Sequence, residues 1–444
     1  MLSPQDNDDL TRTGRGTVMG ELMRRYWIPA ALSSELATEG EPMRLKLLGE
    51  ELIAFRQRDG QAVIMNHRCP HRGASLFFGR VEDGGIRCVY HGWKFDAAGQ
   101  CLDMPNVPDG DAQRAKVRAS AYRTFERNGL VWVYMGEQQD APPFPHLEAA
   151  LVPGERASII MLLQECNWMQ ALEGAIDTSH VGFLHAGSIE ADDFEDDHPM
   201  RPTVYDRAPQ YQIAETAWGT MYGAYRPDGF GRTSWRIAHF AFPFWTLTPN
   251  VQFRSRVLAN GWVPVDDTHT MLVLITGGTD AGNPLDTPLR NGKTLPGGGL
   301  DLQYLPRTND WLGRWRPKAN KSNDYLLDRA RQRSNDVYAG IDNILTQDQC
   351  VTESMGPITD RSLEHLNMAD VMVVRTRRRL LQAARALRDA GVIPPGVADP
   401  AIYLQARGGC FLAEPQVDWL QAYAAEMERA QRWLPREAAE AGAD

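Results

Sequence analysis

The sequence is poor in the features that mark most specialised protein classes. Six cysteines in 444 residues are too few for a disulfide scaffold. No apolar run approaches the ~18 residues that a membrane helix needs, so no spanning segment is expected. Positive charge is in deficit: 47 Lys and Arg against 57 Asp and Glu leave a formal net charge of −10. That balance argues against nucleic acid or an anionic membrane surface as the main partner. There is no internal repeat of solenoid period and no low-complexity tract. The opening MLSPQDNDDLTRTGRG places acids where a secretory signal needs a basic and then an apolar stretch, which points to a cytoplasmic protein. What is present is ordinary globular composition, 43% hydrophobic and 23% charged, long enough for two or three domains of about 150 residues.

The chain divides into three parts. Residues 1–39 form an N-terminal helical segment expected to pack on the C-terminal part, with a helix over 17–27 ending before Pro29. Residues 40–137 carry short alternating segments, RLKLLGEELIAFRQ, AVIMNHRC, VYHGWKFD and LVWVYMG, separated by Gly, Asp and Pro. This predicts a small antiparallel β domain. The stretch QQDAPPFP, 138–145, reads as a linker. The remainder, 138–444, has a helical stretch at 165–186 and strand-like pieces YQIAETAW, TSWRIAHFAF, NVQFRSRVL and HTMLVLIT. A Gly- and Pro-rich excursion follows at 277–300, then helical periodicity over 361–391 and 415–434. The fold class expected is α+β, a β-rich N-terminal domain followed by a mixed domain with strands in the middle and helices at both ends.

Two cysteines have histidine neighbours. Cys69-Pro-His71 and Cys88-Val-Tyr-His91 are separated by sixteen residues, and each pair is followed by glycine, Gly73 after Arg72 and Gly92 directly. Two tight loops of this kind present two thiolates and two imidazoles around one centre. Such a set can hold a structural zinc ion or a Rieske [2Fe–2S] cluster, with two thiolates on one iron and two imidazoles on the other. The order discriminates between them. A zinc finger usually groups its cysteines and then its histidines, whereas here each loop supplies one of each and can serve both irons. His67 lies outside this spacing and reads as a packing or solvated histidine; Cys101 reads as a buried free thiol.

A second constellation lies in NWMQALEGAIDTSHVGFLHAG. Asp177 and His180 are three apart and His180 and His185 five apart. On an ideal helix the two histidines point about 140° apart, so they can face one metal only if the helix ends or bulges, which Gly182 permits. Two imidazoles and a carboxylate make the facial triad of a non-haem Fe(II) site with open positions for O₂. The third ligand is expected from LTQDQCVTESMGPITDRS, as Asp348 or, failing that, Glu353.

Together these residues resemble the oxygenase (α) component of Rieske non-haem iron aromatic ring-hydroxylating oxygenases, in particular the phthalate dioxygenase-like branch. The likeness extends to the opening GRGTVMGELMRRYWIPAALSSEL and to QDQCVTESMGPITDRSLEHL with the following DVMVVRTRRRLL. The resemblance implies an N-terminal Rieske domain and a helix-grip catalytic domain. It implies that Cys69, His71, Cys88 and His91 hold the cluster and that His180, His185 and Asp348 hold the iron. Asp177 would bridge an iron-ligand histidine and a Rieske histidine, across subunits of a homotrimer or a stacked pair of trimers. Ring hydroxylation, O-demethylation of a methoxylated acid and aryl-ether cleavage all occur among such relatives.

The chain shows no nucleotide site of its own. Gly297-Gly298-Gly299 has no strand before it and no helix after it in the reading above, so it is not a dinucleotide fingerprint. Electrons are therefore expected from a separate reductase docking near His71 and His91, which the resemblance implies is an NADH-dependent flavin and ferredoxin-type protein. A substrate pocket is expected from the middle strands, which are rich in aromatics and carry Arg207, Arg226, Arg236 and His239. Arg236 and His239, inside the apolar run TSWRIAHFAF where an unpaired charge is costly, are the pair chosen for the carboxylate of an aromatic acid. A Rieske electron carrier and a zinc-stabilised binding protein are the competing classes. A carrier needs no second iron site, and zinc does not suit the mixed Cys-His order.

Overall fold

The computed structural model describes residues 2–108, 111–137, 141–278 and 287–434. Residues 138–140 of the expected linker and 279–286 of the expected excursion lie outside the described residues.

The N-terminal part is built from two antiparallel sheets. Six strands lie in the order Trp27–Leu32, Leu130–Tyr134, Ala121–Arg127, Ala62–Asn66, Glu50–Arg56, Met43–Leu47. Met43–Leu47 buries every second residue, as period-2 patterning requires for a half-covered strand. A smaller sheet joins Arg80–Glu82, Gly85–Arg87, Lys94–Phe95 and Cys101–Asp103.

The N-terminal segment divides differently from the expected 1–39 unit. The helix is shorter than 17–27, running Val18–Met23 behind a Thr17 cap whose side chain accepts from the Gly20 amide. It packs with helix Pro4–Thr11 against helix Val371–Ala390. Trp27–Leu32 leaves that segment and pairs with Leu130–Tyr134 at the edge of the six-stranded sheet. Pro29 cannot continue a helix, but it is tolerated on an edge strand, and the register shifts between Pro29 and Ala31.

The C-terminal part holds an eight-stranded antiparallel sheet. Its path runs Ala157–Gln164, His269–Gly278, Arg256–Asp266, Trp245–Leu247, Thr233–Ala241, Gly219–Pro227, Gln210–Thr216, with Gly409–Ala413 also pairing with Thr233–Ala241. Helix Trp168–Ile176 crosses the sheet and meets helix Ile344–Ser354. The strand expected at NVQFRSRVL begins only at Arg256. The helix expected at 361–391 begins only at Val371 and stops where Gly391 turns left-handed, φ 65°. Gly219–Pro227 (GTMYGAYRP) was not foreseen as a strand. Its Gly223 is there because a Cβ would stand 2.7 Å from Trp419 and 2.8 Å from Trp235. Among the described residues no helix is long and apolar enough to cross a membrane.

Candidate active site

The two Cys-His loops have the same backbone hydrogen bonds. The Cys69 amide donates to Ala74 O (2.8 Å) and the Gly73 amide to Cys69 O (2.9 Å). The Cys88 amide donates to Trp93 O (2.8 Å) and the Gly92 amide to Cys88 O (3.0 Å). Gly73 and Gly92 sit at φ 76° and 80°, a region that suits glycine. At Gly92 a Cβ would also meet Pro105 at 2.6 Å. The loops bring His71 and His91 edge to face at 4.5 Å, and Trp93 stacks on His71 at 4.4 Å. Cys69 and Cys88 are buried, and the buried Nδ1 of His91 has no hydrogen-bond partner.

Among the described residues, the group of three or more His, Cys, Asp or Glu donors close enough to share one ion is His180, His185 and Asp348, within 4.8 Å of one another. The two loops bring two thiolates and two imidazoles to one place, one of each from each loop, a donor set that fits a two-iron Rieske cluster. His67 is a packing residue, 3.1 Å from the Ser75 hydroxyl and edge-on to Trp311 at 5.0 Å. Cys101 is a buried free thiol.

The second site forms where helix Trp168–Ile176 ends. Asn167 caps its start through the Met169 amide, and Asp177 is its C-terminal cap with extended backbone. Asp177 and His180 therefore do not share a helix face. His180 opens a short 3₁₀ turn, His180–Gly182, and the chain then coils back to His185. This geometry brings His180 Nε2 to 3.1 Å from His185 Nε2. Asp348, on helix Ile344–Ser354, stands 3.1 Å from His185 Nε2 and 3.5 Å from His180 Nε2. Two imidazole nitrogens and one carboxylate oxygen converge, a donor set that fits a mononuclear iron.

The electrostatics are mutual. Burial pushes the Asp348 carboxyl up, but His185 and His180 outweigh it and hold its pKa below the ordinary value. Burial likewise disfavours charged His180, and Asp177 and Asp348 overcome that and raise its pKa. Asp177 Oδ2 lies 3.5 Å from His180 Nδ1, while its Oδ1 accepts from the Ser179 amide and hydroxyl at 2.7 Å each. Glu353, the alternative to Asp348, is directed elsewhere. It accepts from the Tyr325 hydroxyl (2.6 Å), the Gln349 amide nitrogen (2.6 Å) and the Glu165 backbone amide (2.7 Å). Gln347 was missed: its Oε1 lies 2.7 Å from His185 Nδ1, and no pattern in the sequence marks it.

A cavity of about 420 Å³ opens beneath the three donors, of a size that takes a small organic ligand. Ile160, Leu258, Leu272, Leu274, Ile344 and Leu345 supply apolar wall, and Arg236 lines the same space. Arg236 is 3% exposed. It donates to Thr178 Oγ1 and Asn250 Oδ1, both at 2.9 Å, and among the described residues no carboxylate pairs with it.

The expected pairing of Arg236 with His239 is wrong, and strand geometry is the reason. Residues three apart on a strand face opposite sides. Register places Arg236 opposite Ala224 and Cys410 on the cavity side, and His239 opposite Met221 on the other. His239 is fully buried. Its Nδ1 accepts from Trp218 Nε1 at 3.2 Å, and its Nε2 donates to Arg407 O at 3.0 Å. Burial pushes its pKa down to about 3, so it is a neutral core residue. The residue that does share Arg236's face is Arg226, opposite Ser234 and 3% exposed. Its Nε and Nη2 have no partner, and burial, then the charge of Arg236, bring its pKa to about 10. Arg207 is a structural residue, donating to Gly182 O and Ile189 O.

Comparison with known proteins is consistent with this geometry. Residues 26–122 match the Rieske [2Fe-2S] domain model and residues 133–436 the LigXa C-terminal domain-like model. The chain is 49% identical over 429 residues to the oxygenase subunit of 3-chlorobenzoate-3,4-dioxygenase from Comamonas testosteroni, covering 96% of this chain and 99% of that one. It is 36% identical to the oxygenase subunit of phthalate 4,5-dioxygenase from Pseudomonas putida, covering 94% of each. A solved structure of NdmA from Pseudomonas putida CBB5, a QL mutant with theobromine, shares the fold at 18% identity with a TM-score of 0.55, covering 90% of this chain and 100% of that one.

Proposed function

The chain belongs to the Rieske non-haem iron oxygenases, and from that premise we propose that it hydroxylates the ring of an aromatic carboxylic acid. The observation that carries this reading is Arg236, a buried guanidinium with only neutral partners in the wall of the cavity beneath His180, His185 and Asp348. A buried cation without a counter-charge is costly, and a substrate carboxylate supplies the missing charge through paired N–H donors. Arg226, on the same face, adds to the positive potential. The apolar wall holds the ring and keeps water out.

When bound, Fe(II) at His180, His185 and Asp348 supplies a centre for O₂ activation, and a Rieske cluster at Cys69, His71, Cys88 and His91 supplies single electrons. Asp177 holds His180 in orientation through Nδ1. Its 29% side-chain exposure leaves it open to a neighbouring subunit in a homotrimer or stacked pair of trimers, where it bridges to that subunit's cluster histidine. Electrons come from a separate NADH-dependent flavin and ferredoxin-type reductase. Val89 and Tyr90, 58% and 55% exposed beside His91, form its docking surface.

The test begins with anaerobically purified protein. Iron and acid-labile sulfide in about a three-to-two ratio with a red-brown colour support both centres, and zinc without sulfide overturns them. Aromatic acids and their primary amides are then compared with reductase and NADH. Oxidation of acids but not amides, with diol rather than formaldehyde as product, is expected. Equal turnover of an acid and its amide would overturn the carboxylate reading.

A further inference from the structure

We infer that Gln347, held by the Gly297 loop, sets the tautomer and the aim of His185; the inference rests on the iron-site reading above. Gln347 is 1% exposed, so each polar atom of its amide must find a partner. Its Nε2 lies 2.7 Å from Ile341 O and 3.2 Å from Gly297 O. Backbone carbonyls only accept, so the nitrogen of the amide must face them and both its hydrogens are committed. The amide oxygen is then the atom that faces His185 Nδ1, at 2.7 Å. An oxygen without a hydrogen requires a donor opposite. Nδ1 therefore carries a proton, and the ring is turned so that Nε2 faces the point where His180 Nε2 and Asp348 Oδ1 converge, each 3.1 Å away.

The same loop secures the Asp348 helix. Gly297 O also accepts from the Asn343 amide (3.0 Å), and Gly299 O accepts from the Ile344 amide (3.2 Å). These are donors at the start of Ile344–Ser354, where helical amides lack partners within the helix. Gly297 sits at φ 69°, and a Cβ on it would stand 2.9 Å from Gln347 Nε2 and 2.8 Å from Val337. The glycine run that lacks a dinucleotide-binding context thus has a different use. It lets one backbone segment anchor both the helix bearing one iron ligand and the amide orienting another. Gln347 is a positioning residue. It differs from Asp177, which backs His180 with a charged group, in orienting its histidine through a neutral one.

The test uses the full-length protein, stripped of mononuclear metal by chelation with the Rieske absorbance retained, and titrated anaerobically with Fe(II). Gln347→Leu is expected to weaken Fe(II) binding about 10–100-fold while leaving the Rieske spectrum unchanged. Nitrogen-15 labelling of histidine in the metal-free parent is expected to show His185 protonated at Nδ1, and in Gln347→Leu a mixture. A parent spectrum showing Nδ1 without a proton, or an Fe(II) affinity in Gln347→Leu within about twofold of the parent where about tenfold is expected, would overturn the inference alone. Failure of the parent to bind Fe(II) would overturn it together with the iron-site reading. Should Gln347→Leu not fold, Gly297→Ala keeps the amide in place and crowds its nitrogen, and a lower Fe(II) affinity is again expected; the parent's tautomer spectrum needs no variant at all.

Discussion

The two candidate metal sites are assembled in opposite ways. The cluster donors lie within residues 69–91, on two loops whose backbone hydrogen bonds are the same and whose glycines make the same left-handed turn. The iron donors come from the start of a 3₁₀ turn, the turn that follows it and a helix far along the chain, at 180, 185 and 348. The first site draws all four donors from its own two loops. The second exists only once helix Trp168–Ile176 and helix Ile344–Ser354 have met, which Gln170 secures by donating to Thr352 O and Gly356 O at 2.8 Å each. A locally encoded site carries its signature in spacing, whereas a tertiary site shows part of its donor set and hides its supports.

The sharpest break between the two sites is single-ligand removal. Cys88→Ser is expected to abolish the visible spectrum and acid-labile sulfide while Fe(II) still binds at the second site. Asp348→Ala is expected to do the reverse, losing the mononuclear iron and all turnover but keeping the colour. Glu353→Gln serves as the control, retaining both metals because Glu353 faces Tyr325 and Gln349. Metal analysis of the three variants checks the set.

The next effect tests the link between the sites. Asp177→Asn keeps the shape and removes the charge next to His180. It is expected to retain both metals and lose turnover by about 10–100-fold or more, read as steady-state rate against iron content. Full activity at normal iron content would exclude a bridging role.

A third comparison separates the two faces of strand Thr233–Ala241. Arg236→Met is expected to cost about 2–5 kcal/mol in kcat/KM for an aromatic acid and little for a neutral ring. His239→Asn is expected to leave KM unchanged and to lower stability by about 1–3 kcal/mol, measured by denaturant midpoint.

The last comparison is a pH slope. His239 titrates near 6.5 when unfolded and is pushed down to about 3 when folded. Below pH 6.5 the unfolded chain takes up a proton that the folded one refuses. The neutral-pH stability is therefore lost as pH falls from about 6.5 toward about 3, at ~1.4 kcal/mol per pH unit. His239→Asn should flatten that slope by one proton's worth, measured as denaturant midpoints between pH 7 and about 4.5.

Legibility followed the same division. The Cys-His motifs and the His180 and His185 pair are legible in residue types and spacing, whereas spacing leaves Asp348 and Glu353 both open as the third donor. The β-rich and α+β character followed from alternation and periodicity. The errors arose where a residue's surroundings, rather than its neighbours in sequence, decide its role. Trp27–Leu32 was grouped with a helical segment because its partner strand begins about a hundred residues later, at Leu130. Arg236 and His239 share one apolar run, but odd spacing on a strand separates their faces. Arg226 was passed over because its burial comes from elements that no local pattern reports.

The sequence by itself determined the donor chemistry: thiolate and imidazole in two glycine-ended loops, and imidazole followed by carboxylate for an oxygen-activating iron. Those choices are set by which side-chain atoms can bind which metal, and they do not depend on where the chain goes. Only the tertiary structure decided that Arg236 faces the cavity, that His239 is core, and that an amide at 347 and a glycine at 297 stand behind an iron ligand. Side-chain direction depends on sheet register and on what packs above it, and both are settled by contacts between segments distant in sequence.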